Sequence, residues 1–125
     1  MSQLDVRRVN FSPEADARLK RLKGATGVTP NLLCRVGFCL SLEEPSAPVP
    51  GQYPPGPRDI NRYTLTGEYD DLFVSLLRQC MHDQNLDWDT EASEQFSAHM
   101  KRGVLLLAPR VKSLSDLMEL CPQSD

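Results

Sequence analysis

FSPEADARLKRLKGATGVTPNLLCRVGFCLSLEE, residues 11–44, spells out two helices through their end signals. Ser12 is a good N-cap, Pro13 suits the first helical position, and Glu14 favours the positive end of the helix dipole. Ala15, Leu19, Leu22 and Thr26 then fall on one stripe at helical spacing, and Gly27 is a natural terminator. Thr29 followed by Pro30 starts a second helix that runs to about Glu44. Its apolar residues go nearly all the way round: Leu33, Val36, Gly37 and Leu40 on one face, Phe38 and Leu42 on the other. A helix apolar on both faces is expected to be buried on both, which points to a second subunit over Phe38 and Leu42. Arg35 lies on that side and is expected to meet a carboxylate or a phosphate.

Upstream, LDVRRVNF (4–11) alternates, with Val9 and Phe11 to one side and Arg8 and Asn10 to the other, the pattern of a short strand. Strand, helix, helix over residues 1–44 is the order of a ribbon-helix-helix fold, in which two chains pair their strands. A lone strand has unmet backbone groups, so pairing with a second copy is expected. In such folds the outward strand side chains read the major groove, here Arg8 and Asn10.

Residues 45–58, PSAPVPGQYPPGPR, hold six of the ten prolines and read as an extended connector. Residues 59–125 read as a helical body within the same single domain, residues 1–125. One helix is expected from Gly67 to about Asn85, capped by Thr64 or Thr66. A second, capped by Asp89 or Thr90, runs through Phe96, Met100, Val104 and Leu107 to near Pro109. Ser113 and Asp116 have capping-box spacing for a third, Leu114 to Leu120. The expected class is therefore mainly α: a ribbon-helix-helix-like start, a helical C-terminal half, and self-association.

Hydrophobic residues make up 40% of the 125, enough for a packed core and too many for a disordered chain. The longest apolar run, Val104 to Ala108, is too short to span a bilayer, and MSQLDVRR carries charge where a signal peptide needs apolar residues. A cytoplasmic protein with no membrane contact is expected. Cys34, Cys39, Cys80 and Cys121 form no C-x-x-C, and their spacings fail the usual ligand patterns, so they read as reduced, buried small hydrophobes with no metal and no cofactor. His82 and His99 sit between polar residues and read as solvated. Glu68, Asp70 and Asp71 complement a helix dipole. No glycine-rich phosphate loop, G-x-S-x-G or H-E-x-x-H occurs. The chain is therefore read as a non-enzyme; nicking of DNA would need a site built across subunits.

The net charge of −3 hides an asymmetry. Residues 1–42 hold seven Lys/Arg against three acids, a balance of +4, and residues 43–125 carry −7. With the Ala15–Leu19–Leu22 stripe inward, Lys20 and Arg21 point outward while Arg18 and Lys23 flank it; only Asp16, before Lys20, is expected to neutralise any of them. Four cations in six residues can neutralise phosphates, which gives salt-dependent and largely sequence-independent affinity.

NLLCRVGFCLSLEEPS (31–46) resembles the signature of the DndE family. FSPEADARLKRLKGATG resembles that family's first helix, GEYDDLFVSLLRQ (67–79) its G-E-Y-containing helix, and HMKRGVLLL (99–107) its late helix. The resemblance covers nearly the whole chain, and the element from Cys34 to Leu42 is its most specific part. It implies an accessory role in DNA phosphorothioation, the replacement of a non-bridging phosphate oxygen by sulfur. It further implies a DNA-binding homotetramer, a second-helix motif in the assembly core, and partners that include an iron-sulfur sulfurtransferase-like protein and an ATPase. No catalytic residue carries over.

Three readings follow. The first is double-stranded DNA, perhaps nicked or distorted, bound through Lys20, Arg21, Lys23 and Arg18. The second is a sequence-specific repressor using Arg8 and Asn10. The third is a scaffold that holds the sulfur-transfer proteins and touches DNA little. The body of about eighty residues beyond a ribbon-helix-helix unit puts groove reading by the strand in doubt, because it could cover the strand face.

Overall fold

Ser12 divides the first strand from the first helix. In the structure, a computed structural model that describes residues 4–120, β1 (Arg8–Phe11) stops before it and α1 (Pro13–Thr26) starts after it. Its hydroxyl accepts from the Ala15 N–H at 3.2 Å, and Glu14 and Asp16 supply acid to the first turn. Ala15, Leu19, Leu22 and Thr26 are buried, as their spacing predicts. Gly27 ends α1 with φ 76°, a left-handed conformation, and donates to the Lys23 carbonyl. α2 (Pro30–Leu42) follows Thr29.

The strand is not left for a second chain. β2 (Arg58–Asn61) pairs antiparallel with β1, in the register Arg8↔Asn61 to Phe11↔Arg58. The expectation of a partnerless strand fails because the proline-rich segment, with a 3-10 turn at Pro50–Gln52, brings a strand back to it.

Four further helices complete a mainly helical chain among the described residues: α3 (Arg62–Thr66), α4 (Asp70–Asp83), α5 (Trp88–Leu107) and α6 (Leu114–Leu120). The helix expected over 67–85 is present as α4, entered through a 3-10 turn at Gly67–Tyr69, and the short α3 precedes it. Asn61 caps α3 through the Thr64 N–H, and Gly67 stops it at φ 55°, ψ −138°, a conformation that side chains resist. α5 is capped by Asp87, two residues before Asp89: its carboxylate accepts from the Asp89 N–H, and Glu91 accepts from the Asp87 N–H. At the last helix Ser113 Oγ accepts from the Asp116 N–H, as the spacing predicts, while the Asp116 carboxylate accepts from the Lys112 N–H instead of that of Ser113.

The core lies where α2 crosses α5. α2 buries Leu33, Cys34, Gly37, Phe38 and Ser41, one stripe at i, i+4 and i+8 with its neighbours. Phe38 packs against Phe73 at 5.7 Å and Phe96 at 5.6 Å between ring centroids. Its assignment to a subunit interface is therefore corrected: Phe38 is fully buried by its own chain. Leu42 is half-buried and accepts the Cys80 thiol at its carbonyl. The face of α2 turned away from the core carries Leu32, 43% exposed, and Cys39. Cys34 is buried as expected, but Cys39 is exposed, because it sits on the opposite side of the helix from Cys34 and Phe38. Cys121 lies outside the described residues. His99 is also corrected: it is fully buried against Phe38 and joined to Ser41, because α5 is covered at that position by α2. His82 is exposed, as expected.

Candidate nucleic-acid interface

Most of the cations singled out in the sequence are tied down within the chain. Arg8 pairs with Asp59 across the sheet at 3.0 Å, with both side chains exposed to water. Asn10 is held within the chain. Its Nδ2 donates to the Gly56 carbonyl at 2.9 Å and its Oδ1 accepts from the Gly56 N–H at 2.8 Å. The amide thus extends the two-stranded ladder by acting as a third peptide group.

On α1, Arg18 pairs with Glu14 one turn earlier at 2.8 Å, an i,i+4 pair overlooked in the sequence. Lys20 pairs with Asp16 at 3.2 Å and stays 68% exposed. Asp16 is a shared anion: Arg58 from β2 holds it too, and that bond, with help from Lys20, keeps its carboxyl below the usual range against the opposing effect of burial. Arg21 does not point freely into solvent. Its guanidinium donates to the Ala108 carbonyl at 2.6 Å and to the Val111 carbonyl at 3.4 Å. These are carbonyls at and after the C-terminal end of α5, where orphan acceptors and negative dipole charge favour a cation. Lys23 is exposed, and no acid among the described residues pairs with it. Arg35 is half-buried and donates through Nε to the Leu65 carbonyl at 2.6 Å, and no carboxylate among the described residues pairs with it.

The Arg21 clamp has a consequence that sequence order hides. It lays the segment from the 3-10 turn Ala108–Arg110 to Lys112 against the Arg21 side of α1, which brings Arg110 and Lys112, both exposed, to the helix that carries Lys20 and Lys23. Neither Arg110 nor Lys112 forms an ion pair within the described residues. The nearby Asp116 is occupied by the Lys112 backbone N–H. The other strongly held cations serve the fold: Arg62 forks onto Asp70 at 2.8 and 2.7 Å, and Arg102 donates to Ser41 and to the Ser46 carbonyl.

Among the described residues no three His, Cys, Asp or Glu side chains stand together as metal ligands, and no helix is long and apolar enough to cross a membrane.

Comparison with known proteins adds a family to this geometry. Residues 8–115 match the family described as "DndE: DNA sulphur modification protein DndE". No curated protein matches the chain. Among solved structures, DndE from Escherichia coli B7A, described as involved in DNA phosphorothioation modification, is 27% identical with a TM-score of 0.64, over 85% of this chain and 99% of that one. A glycine-to-lysine DndE mutant involved in DNA phosphorothioation shares the fold at 24% identity and a TM-score of 0.58, over 81% of this chain and 95% of that one.

Proposed function

The chain belongs to the DndE family of DNA sulphur modification proteins, and from that premise we propose that it is a DNA-binding accessory component of the phosphorothioation machinery. We place its phosphate contact where α1 meets the connection from α5 to α6. The observation that carries this reading is the Arg21 clamp on Ala108 and Val111, which holds the segment bearing the exposed Arg110 and Lys112 against the helix that carries Lys20 and Lys23. A preorganised set of cations contacts phosphate without ordering its own backbone, and it recognises duplex DNA without regard to sequence. Repressor-like groove reading has less support, since Asn10 is consumed by Gly56 and Arg8 by Asp59.

Self-association belongs to the same proposal, with a different surface from the Phe38 face. Leu32 on α2 and Tyr69, Leu72 and Leu76, which lie on and just before α4, are 39–54% exposed, and such uncovered apolar side chains favour a second copy. A multimer, a tetramer by family resemblance, would repeat the basic face and raise avidity for DNA. The iron-sulfur and ATPase components would then meet the acidic remainder of the surface.

The experiment is a titration of a fluorescent duplex at two salt concentrations with wild type and Lys23→Glu/Arg110→Glu. Loss of affinity on every sequence, with the logarithmic salt slope reduced by about 0.9 for each phosphate contact removed, is expected. Unchanged binding would sink this face, and binding by neither protein would turn the reading to the scaffold.

A further inference from the structure

Where β1 and β2 part, the structure holds a second feature that the basic face does not use. The ladder runs one step past Arg8↔Asn61, with the Arg62 N–H donating to the Arg7 carbonyl at 2.8 Å. α3 then turns away and leaves a hollow of about 570 Å³ lined by Val6, Arg7, Asn61, Tyr63, Thr66 and the Arg62–Asp70 pair. That volume lies within the roughly 300–1,000 Å³ of small-molecule sites.

The floor is rigid and electrically closed. Arg62 forks onto Asp70 and also donates to the Leu4 carbonyl at 2.8 Å and the Val6 carbonyl at 3.2 Å. Thr66 donates to Asp70 at 2.7 Å. Asp70 is therefore compensated and does not repel an anion at the rim.

The rim is open. Tyr63 is 82% exposed, the most solvent-facing of the large hydrophobic side chains. A ring of that size is normally covered unless something else covers it. Arg7 is exposed and has no acid partner among the described residues. Asn61 spends its Oδ1 on the Thr64 N–H, which directs its amide NH2 away from the helix with no acceptor among the described residues. One planar π face, one unpaired cation and one amide donor thus surround a ring-sized hollow.

We infer that this hollow takes a single unstacked nucleotide, with the base on Tyr63, the base edge at the Asn61 amide and the phosphate at Arg7. Bases inside an intact duplex are stacked on their neighbours and out of reach of Tyr63. The ligand is then either an unpaired nucleotide of a DNA strand or a free nucleoside phosphate, which share this chemistry. The DNA source rests on the duplex-binding reading above; the free source does not.

The test uses the full chain, wild type and Tyr63→Ala. Its probes are an intact duplex, the same duplex with a one-nucleotide flap, the flap made abasic, and a free deoxynucleoside monophosphate. The expected result is tighter binding of the flap than of its abasic twin, with that preference reduced about ten-fold in Tyr63→Ala. Binding of the intact duplex stays as it is. Tyr63-dependent binding of the free monophosphate with no flap preference assigns the same pocket to the free ligand. Wild type that binds no DNA but binds the monophosphate through Tyr63 ends the duplex reading and keeps the pocket. Binding of every probe by a Tyr63→Ala protein of unchanged circular dichroism that matches wild type, flap preference included, overturns the inference. So does a Tyr63→Ala protein with altered solution mass, which would make Tyr63 an interface residue.

Discussion

Gly37 of α2 and Gly103 of α5 meet backbone to backbone. A Cβ built on Gly37 would lie 2.7 Å from both the carbonyl carbon and the carbonyl oxygen of Gly103 and 3.1 Å from the Val104 nitrogen. The obstruction is helix backbone, which cannot swing aside as a side-chain tip can. The two helices cross here at the closest approach that glycine allows, and that closeness seats Phe38 between Phe73 and Phe96 and brings Ser41 onto His99.

Either glycine changed to alanine is therefore expected to force the helices apart. The cost is at the upper end of overpacking, about 3 kcal/mol. Gly24 gives the contrast. It lies inside α1 with nothing within 4 Å of its missing Cβ, and Gly24→Ala is expected to stabilise by about 0.5–1 kcal/mol. Urea denaturation of the three variants checks both signs. A Gly103→Ala protein as stable as wild type would show that the crossing is looser than this.

The end signals of α1 and α2 were legible because they are local: Ser12, Pro13, Gly27 and Pro30 act within a few residues of themselves. The family was legible because its motifs run in order along the chain. The site was less so. Whether a cation is available depends on what the fold places beside it, and α1 meets residues some ninety positions away through Arg21. Glu14 at i−4 from Arg18 was a local signal that could have been read. Nothing local could have shown that Asn10 would clasp Gly56, that Arg110 and Lys112 would lie beside α1, or that His99 would be sealed under α2. Tyr63 could only become a candidate once its exposure and the hollow beside it were known.

Asn10 and Arg21 are fold clamps, and their loss is expected to be felt in stability before DNA binding. Asn10→Ala removes the amide that satisfies both the Gly56 N–H and the Gly56 carbonyl, at a cost of about 1–3 kcal/mol. Arg21→Ala frees the Ala108 and Val111 carbonyls at about 1 kcal/mol, less because the site is partly wetted. Thermal unfolding in parallel with duplex titration separates the roles. For Asn10→Ala a lower Tm with unaltered affinity is expected at temperatures where the variant is folded. A change in sequence preference in that variant would revive groove reading by the strand.

His99 sets a pH dependence. Arg102 Nε donates to Ser41 Oγ at 2.8 Å, so Ser41 gives its own proton to His99 Nδ1 at 2.7 Å. The imidazole is thereby neutral with its proton on Nε2, which is buried and has no partner among the described residues. Burial first, and the Arg102 charge second, push its pKa from 6.5 down to about 3. The unfolded chain binds this proton below about 6.5 while the folded chain refuses it until about 3, so the unfolded state holds more protons throughout that window. Stability is full above 6.5 and falls as pH drops, by up to about 1.4 kcal/mol per pH unit. Asp16 and Asp70, both held below the usual carboxylate range, lose their stabilising charge only at lower pH, so the span from about 6.5 to 4 belongs to His99. His99→Gln keeps an acceptor for Ser41 and cannot titrate. Its urea midpoint is expected to stay flat over that span where that of wild type falls. Parallel curves for the two proteins would mean that His99 is charged in the folded chain and that the tautomer assigned through Ser41 is wrong.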